Sequence, residues 1–289
     1  AAGGTLGILI PPSIPLVIFG ILTETDIAAL FMAGIIPGLL LAGLYMFVAW
    51  ILVARRPELG RPAALMPFGQ RLVAFRRTLP VLALFLIVVI GMYTGVFTPT
   101  EAAGVGAFAS FLLMALRGKA TLPEIKAALV ETMLTTGAIL AVIGAALVFN
   151  NFLTISGLTG QLIGWVESLS MSPLGVIFAI CLIYLVLGCI FDSLAAMILT
   201  APVFTPIIVS LGYDPVWFGI LIVMLCETAM ITPPVGVNLF VVQGVRRRGS
   251  IQDVMLGVLP FIASLLVMIL LVIAWPDIVL WLPRLAGGF

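Results

Sequence analysis

Long apolar runs separated by short polar stretches make up most of the chain. These runs extend over residues 1–22, 33–54, 79–96, 101–116, 128–152, 173–190, 194–210, 215–245 and 258–282. A helix that crosses a lipid bilayer needs about 20 predominantly apolar residues, and most of the runs reach or approach that length. A further stretch, 156–170, is shorter and amphipathic. The pattern predicts an all-α integral membrane protein that crosses the bilayer several times.

The composition agrees with this interpretation. Hydrophobic residues make up 63% of the chain and charged residues 9%, whereas soluble globular domains contain about 25% charged residues. Too few polar side chains are present to cover a surface that faces water, so the lipid bilayer is the expected environment. The net charge of +1 argues against a nucleic-acid partner, because such partners are bound through many basic side chains.

Several kinds of chemistry are excluded by the residue types present. Histidine is absent, which removes the commonest side-chain base and metal ligand. Cys181, Cys189 and Cys226 lie in apolar runs without CxxC spacing, and we interpret them as buried thiols rather than as disulfide or metal partners. No organic cofactor is expected. The chain begins inside an apolar run without a methionine, so we also expect an N-terminal part to precede residue 1.

The basic residues predict how the chain is oriented in the membrane. Three polar stretches, 55–78, 117–127 and 245–250, contain every Lys and Arg except Arg284. Threading the apolar runs across a bilayer places all three stretches on the same side. The positive-inside rule identifies that side as the cytoplasm.

Two parts of the chain share a pattern that indicates an internal repeat. The first part has a proline pair at Pro11–Pro12, followed by Gly-Ile-Ile-Pro at 34–37. The second part has Pro233–Pro234, followed at nearly the same spacing by Gly-Val-Leu-Pro at 257–260. Each of the two later sequences is expected to open a long helix. The charge pattern gives the two copies opposite orientations, which predicts an inverted-topology repeat.

A Pro-Pro pair inside a membrane span has a specific physical consequence. It breaks the helix, because proline lacks an N–H and clashes with the preceding turn. The freed backbone groups then need partners from protein, water or an ion. Broken helices near the middle of the membrane form ion and substrate sites in many secondary transporters. Two matched breaks therefore favour a transporter, and a kink without a ligand is the alternative at either one.

Two acidic residues lie within the apolar part of the chain. Asp192, followed by Ser193, separates the runs 173–190 and 194–210, and the orientation of the other runs makes this pair a re-entrant hairpin with Asp192 at its tip. We interpret Asp192 as a cation ligand or as a stabiliser of the tip. Glu227 precedes the second proline pair and is either bonded to a neighbouring helix or a ligand itself. Acids inside a membrane are costly and commonly functional.

A bound cation is the natural counter-charge for these two acids, because the apolar runs around them contain no basic residue. Backbone carbonyls together with Ser, Thr and Asp oxygens suit a hard ion such as Na⁺. Protons are the other candidate, since Asp and Glu also serve in proton relays.

Four long segments of the chain resemble a known family. In order, they are GTLGILIPPSIPLVIFGILTETDIAALFMAGIIPGLLLAG, GVFTPTEAAGVGA, FDSLAAMILTAPVFTPI and DPVWFGILIVMLCETAMITPPVGVNLFVVQG. Together they resemble the large membrane subunit of tripartite ATP-independent periplasmic (TRAP) transporters, and the resemblance covers essentially the whole chain. It implies an elevator-type secondary transporter, multi-pass in the bacterial inner membrane, that uses a sodium gradient. It also implies two partners, a small membrane subunit and a periplasmic substrate-binding protein, and a small organic anion as substrate.

The resemblance also implies which segments form the sites. FDSLAAMILTAP resembles the family's second hairpin, ETAMITPPVGVN its partner broken helix, and GTLGILIPPS the first broken helix; the first hairpin is expected to precede residue 1. The implied sodium- and substrate-binding residues are Asp192, Ser193, Glu227, Thr228, Thr232, Pro233, Pro234, Val235, Gly236, Asn238, Thr5, Gly7, Pro11, Pro12 and Ser13. Within this set, a Na⁺ site is expected at Asp192, Ser193, Thr232 and Gly236.

The expected domain organisation has four parts. They are 1–32 with the first broken helix of a transport domain, 33–127 with scaffold helices and cytoplasmic loops, 128–250 with the remaining transport domain, and 251–289 with a scaffold helix. The third part contains the hairpin 173–210 and the broken helix 215–245.

The leading functional hypothesis is sodium-coupled uptake of small organic anions, either carboxylates or acidic sugars, without enzymatic activity. A second hypothesis is a related dicarboxylate or citrate carrier that needs no binding protein. A third, from another class, is an intramembrane aspartyl protease that uses Asp192 and Glu227. That chemistry needs two carboxylates that share a proton, and the sequence contains no motif of such an enzyme.

Overall fold

The structure is a computed structural model that describes residues 1–60, 67–168, 171–188, 191–234, 236–246 and 249–287. The described residues form thirteen α-helices and no β-strand. The helices are α1 (Ala2–Leu9), α2 (Ile14–Thr23), α3 (Ile27–Arg55), α4 (Phe68–Tyr93), α5 (Pro99–Leu116), α6 (Leu122–Ile155), α7 (Leu158–Ser168), α8 (Pro173–Gly188), α9 (Ser193–Ser210), α10 (Pro215–Ile231), α11 (Val237–Arg246), α12 (Ile251–Ala274) and α13 (Asp277–Gly287). A short 3₁₀ turn, Pro57–Leu59, follows α3.

The lengths of the helices confirm the prediction of an all-α integral membrane protein with broken helices. Within the described chain, six helices are long and apolar enough to cross a membrane, namely α3, α4, α5, α6, α9 and α12. The pair α1 and α2 adds a seventh span if it is counted as one broken helix, because the two segments are bent by 40° at Pro11–Pro12. Helices α8 and α10 are apolar but shorter.

The start of α3 differs from the prediction. We expected the long helix to open at Gly34, but it begins at Ile27. The Asp26 carboxylate accepts hydrogen bonds from the N–H groups of Ala28 at 3.2 Å and Ala29 at 3.0 Å. A side chain that satisfies these first N–H groups starts a helix, so the helix begins directly after Asp26 and includes the apolar residues 27–33.

The start of α12 differs in the same way. Gly257 was expected to open this helix, which begins instead at Ile251. Ser250 and Asp253 form a capping box in which each side chain bonds to the backbone N–H of the other residue. Pro260 therefore lies inside the helix. Proline is tolerated there because neighbouring groups can satisfy the carbonyl that it leaves without a donor.

The chain divides into two compact units, Ala1–Ile51 with Val142–Phe289, and Leu52–Ala141. In the second unit α4 packs against α5. Helix α5 begins with a capping box, in which the Thr98 N–H bonds to the Glu101 carboxylate at 2.9 Å and the Glu101 N–H bonds to the Thr98 hydroxyl at 3.3 Å.

The four-part domain organisation expected from the sequence stays a prediction.

Helix α10 forms the centre of the first unit. It packs against α1, α2, α8, α9, α11, α12 and α13, and all of its residues except Pro215 and Met230 are buried. The Trp217 Nε1–H group donates a 2.9 Å hydrogen bond to the carbonyl of Val272 on α12. This packing fixes the position of α10 along its whole length, including the C-terminal end where the second break begins.

Candidate functional site

The first break lies between α1 and α2 at Pro11–Pro12. In a continuous helix the Ile8 carbonyl would accept a bond from the N–H of the residue four positions later, but that residue is a proline and has none. The buried Ser13 hydroxyl donates to the Ile8 carbonyl instead. Ser13, which directly follows the proline pair, therefore supplies the hydrogen bond that this carbonyl would otherwise lack. Gly7, on the turn of α1 before the break, is exposed.

The second break separates α10 from α11 at Pro233–Pro234, and it is tied to α10 by hydroxyl groups. The Thr232 hydroxyl donates a 2.6 Å hydrogen bond to the Thr228 carbonyl, and the Thr228 hydroxyl donates a 2.8 Å bond to the Met224 carbonyl. A threonine oxygen that donates its proton keeps two lone pairs. Thr232 can therefore hold the break in place and still offer an oxygen to a cation.

Gly236 follows the second proline pair in the left-handed region, with a φ of +33°. A Cβ atom at this position would lie 3.0 Å from the Thr232 carbonyl oxygen and 2.9 Å from Leu239 Cδ1. Glycine is therefore required both for the backbone conformation and for the close approach. Asn238 is half-buried in the first turn of α11. Val235, also predicted as a site residue, lies outside the described residues.

Asp192 stands at the tip of the hairpin that α8 and α9 form. The two helices pack against each other, and the Asp192 carboxylate accepts hydrogen bonds from the N–H groups of Leu194 at 3.1 Å and Ala195 at 3.3 Å. It therefore caps the N-terminus of α9, and it is exposed. The structure shows Asp192 stabilising the tip. Its role as a cation ligand stays a prediction.

The hairpin tip contacts α10 through Ser193 and Gly188. The Ser193 hydroxyl donates to the Cys226 carbonyl at 3.2 Å, and the Cys226 thiol lies 3.4 Å from the Ser193 carbonyl. A Cβ atom at Gly188 would overlap the side chain of Ala229. These contacts place the tip on the last turns of α10. Both contacts are made to residues of α10 that precede Thr232. In the described part of the chain no hydrogen bond joins Ser193 to Thr232.

The two broken helices meet at Thr5 and Glu227, which are both fully buried. Thr5 Oγ1 lies 2.6 Å from Glu227 Oε1 and 2.8 Å from the Ala2 carbonyl oxygen. The second carboxyl oxygen, Glu227 Oε2, has no hydrogen-bond partner among the described residues. The buried Tyr45 on α3 lies close to both Thr5 and Glu227. Glu227 is therefore bonded to a neighbouring helix, and its role as an ion ligand stays a prediction. The sequence analysis singled out both Thr5 and Glu227 but neither their contact nor Tyr45.

Asp192 and Glu227 have no positive side chain paired with them among the described residues. In the ranges that the structure describes, Lys and Arg form no ion pair with Asp192 or Glu227; the ion pair present joins Arg284 to Asp277 at 2.7 Å on the exposed surface. The groups around the breaks and the tip are hydroxyls, backbone carbonyls and single carboxylates. Oxygen donors of this kind suit a hard cation.

Comparisons with known proteins identify the family of this chain. The family model described as "Tripartite ATP-independent periplasmic transporter, DctM component" matches residues 1–278. The chain belongs to this family. The breaks, the hairpin tip and the buried Glu227 are therefore features of a DctM-family protein.

Three relatives show how the chain compares with full-length DctM proteins. The chain is 37% identical over 288 residues to the C4-dicarboxylate TRAP transporter large permease protein DctM of Pseudomonas aeruginosa, covering 98% of this chain and 66% of the relative. It is 33% identical over 292 residues to the sialic acid TRAP transporter large permease protein SiaM of Vibrio cholerae, covering 100% and 67%. It is 31% identical over 285 residues to the 2,3-diketo-L-gulonate TRAP transporter large permease protein YiaN of Escherichia coli, covering 97% and 65%.

The chain thus spans about two thirds of the length of these relatives. The relatives are permease proteins, and six of the described helices are long and apolar enough to cross a membrane. The chain is therefore part of a transporter of the bacterial inner membrane and not an enzyme.

Proposed function

We propose that the large membrane subunit to which this chain belongs takes up small organic anions by sodium-coupled symport. In this proposal a periplasmic binding protein delivers the substrate, and a small membrane subunit completes the permease. The names of the relatives support the substrate class, because they include C4-dicarboxylates, sialic acid and 2,3-diketo-L-gulonate.

The observation that carries the sodium proposal is the position of the hairpin tip on the end of α10. Ser193 is bonded to Cys226, and the chain breaks a short way further along at Thr232 and Pro233–Pro234. The break exposes backbone carbonyls where no helical partner exists. With the Thr232 hydroxyl and the carboxylate of Asp192, these oxygens form a donor set for one Na⁺ ion. Gly236 permits the close backbone approach that such a site needs.

Helix N-termini beside the breaks provide the complementary property for an anionic substrate. Helices α2, α9 and α11 each begin directly after a break or at the hairpin tip. The first N–H groups of a helix carry a partial positive charge and bind anions such as carboxylates. We propose that a substrate carboxylate binds to these N–H groups while the sodium ion occupies the neighbouring carbonyls.

The movement that we propose is of the elevator type. The broken helices and the hairpin carry the bound substrate and sodium together, and the segments 33–127 and 251–289 form the scaffold. The contacts within the carrying part support this proposal. Ser193 joins the hairpin to α10, and Thr5 on α1 joins Glu227 on the same helix, so these elements are connected to one another.

The alternative of an intramembrane aspartyl protease has no support in the geometry. That mechanism needs two carboxylates that share one proton. The Asp192 carboxylate is bonded to backbone N–H groups of α9, and Glu227 is bonded to Thr5 on α1. Each acid thus has its own separate partner.

The test is uptake into proteoliposomes that contain the complete permease and its small subunit. Labelled succinate, N-acetylneuraminate and 2,3-diketo-L-gulonate are offered with and without the binding protein, under an inward Na⁺ gradient or an inward proton gradient. We expect one of these anions to enter only when both the Na⁺ gradient and the binding protein are present. Uptake without the binding protein would support the independent carrier, and uptake with a proton gradient alone would contradict sodium coupling.

A further inference from the structure

A group of arginine side chains lies at one end of the α4–α5 pair. Arg76 and Arg77 stand in the third turn of α4, and Arg117 directly follows the last residue of α5. All three are exposed, and the positive-inside rule assigns this end to the cytoplasm. The Arg117 guanidinium donates a hydrogen bond from Nη2 to the Arg77 carbonyl oxygen at 3.3 Å. The fold therefore brings together basic residues that are 40 positions apart in the chain.

The two helices offer no carboxylate that could neutralise these three arginines. Helix α4 contains no Asp or Glu, and the acidic residue of α5 is Glu101 in its first turn, about 24 Å from the arginine end at the usual rise of a helix. The acid that follows them in the chain, Glu124, is bonded to the N–H and the hydroxyl of Thr121 at the start of α6. Within the described ranges none of the three arginines forms an ion pair. An anion from outside the chain is therefore their natural counter-charge.

Apolar side chains continue from the arginines along both helices. Leu79 and Leu82 on α4 and Leu112 and Leu116 on α5 are each at least 40% exposed. This surface, positive at its end and apolar beyond it, has the same order of properties as a phospholipid, in which acyl chains follow a phosphate. A soluble phosphate compound would use only the charged part. The exposed leucines therefore favour a lipid as the anion.

We propose that Arg77 and Arg117 bind the phosphate of an anionic phospholipid in the cytoplasmic leaflet, with Arg76 adding to the positive charge. Guanidinium groups bind phosphate oxygens through paired N–H···O bonds. Basic pockets between membrane helices are known to take anionic lipid headgroups. A lipid bound here contacts α4 and α5 together and so stabilises the end of the pair. The inference does not depend on the sodium coupling or on the substrate proposed above.

The experiment measures lipid binding to the complete permease with its small subunit in a neutral detergent. Its unfolding temperature is followed against added dioleoylphosphatidylglycerol, which is anionic, and against dioleoylphosphatidylcholine, which has the same acyl chains and no net charge. A ligand that binds the folded state raises the unfolding temperature as its concentration rises. A third titration uses glycerol 1-phosphate, which has the phosphate without acyl chains. We expect phosphatidylglycerol alone to raise the unfolding temperature.

Matched pairs of substitutions test whether this site is responsible. In the double variant Arg77→Gln with Arg117→Gln we expect the half-saturating phosphatidylglycerol concentration to rise about thirtyfold, the usual effect of two basic residues at an anionic surface. Arg77→Lys with Arg117→Lys keeps the charge but not the planar group, and should give an intermediate value. The control is Arg55→Gln with Arg56→Gln, which removes the same charge at the end of α3. This control should behave as wild type.

The other outcomes would overturn the lipid site. Equal weakening in the double glutamine variant and the control would show that overall positive charge attracts the lipid. Equal responses to the two lipids would remove the role of the anionic group, and an equal response to glycerol 1-phosphate would assign the arginines to a soluble phosphate compound. Loss of the small subunit from the double variant on size-exclusion chromatography would assign the surface to that protein. If the double variant does not fold, Arg77→Gln alone gives the same comparison, because the Arg117 bond to the backbone carbonyl is kept.

Discussion

Ser193 and Cys226 are bonded in both directions, from the serine hydroxyl to the cysteine carbonyl and from the cysteine thiol to the serine carbonyl. Ser193 is the first residue of α9, and Cys226 lies near the C-terminal end of α10. The hairpin tip is thereby attached to the helix that carries the second break. Any opening of the tip would have to break this pair and expose the Cys226 thiol, which is buried.

Removing the Ser193 hydroxyl should make Cys226 more reactive. A hydrogen bond contributes about 1 kcal/mol net, so in Ser193→Ala we expect Cys226 to react about fivefold faster with N-ethylmaleimide. The measurement uses mass spectrometry in a background where Cys181 and Cys189 are alanine. Ser210→Ala is the control, because its hydroxyl bonds to the Ile207 carbonyl within α9. Equal labelling rates in the two variants would show that the pair does not hold the tip.

Two substitutions at Asp192 separate its charge from its capping role. Asparagine caps a helix about as well as aspartate, whereas alanine loses about 1 kcal/mol. If the carboxylate stabilises a bound cation, Asp192→Asn should raise the Na⁺ concentration for half-maximal uptake about fivefold, equivalent to ~1 kcal/mol. Asp192→Ala should show this change and also a lower unfolding temperature. Unchanged Na⁺ dependence in Asp192→Asn would leave Asp192 with the capping role alone.

The Thr232 hydroxyl is predicted to contribute an oxygen to the same cation. Thr232→Val removes this oxygen and should raise the half-saturating Na⁺ concentration about tenfold, while Thr232→Ser should retain wild-type values; tenfold corresponds to ~1.4 kcal/mol. Thr154→Val removes a similar hydroxyl-to-carbonyl bond, from Thr154 to Asn150 at 3.0 Å in α6. The assay is initial uptake rate against Na⁺ concentration at matched protein levels. The site is wrong if Thr232→Val and Thr154→Val give the same Na⁺ dependence.

The bond from Trp217 to Val272 should matter for stability rather than for ion binding. Trp217→Phe leaves the buried Val272 carbonyl without its donor, and an unsatisfied buried group costs about 1–3 kcal/mol. We expect a lower unfolding temperature with an unchanged half-saturating Na⁺ concentration. Trp281→Phe, at a position where the side chain is 55% exposed, should change neither quantity. A large change in Na⁺ affinity in Trp217→Phe would show that α10 transmits strain to the break.

The features that the sequence predicted correctly depend on the chemistry of single residues. The breaks at Pro11–Pro12 and Pro233–Pro234 follow from the missing N–H of proline, and the membrane spans follow from apolar length. The helix starts at Ile27 and Ile251 were missed because the prediction placed them at the two Gly-x-x-Pro sequences, whereas the capping side chains lie several residues earlier. At both positions the capping side chain, rather than the sequence pattern further along the chain, determines where the helix begins.

The contacts within the candidate site depend on how the helices pack, which the linear pattern does not contain. Asp192 and Glu227 were both singled out as intramembrane acids, but only the fold shows that one caps α9 and the other bonds to α1. A signal for the second contact was present in the sequence. Thr5 and Glu227 stand at the same distance before their proline pairs, and residues so related meet if the repeat axis runs between them.

The enclosure of α10 by other helices has a consequence for the response to lipid. A span that faces lipid adapts to bilayer thickness by tilting or by deforming the bilayer, but α10 has other helices rather than acyl chains around it. Changes of chain length or headgroup therefore reach Glu227 and Thr232 only through the surrounding helices. The end of the helix at which we propose Na⁺ binding is in this way insulated from the composition of the host membrane. Under that proposal the protein itself, and not the surrounding lipid, sets the affinity for Na⁺.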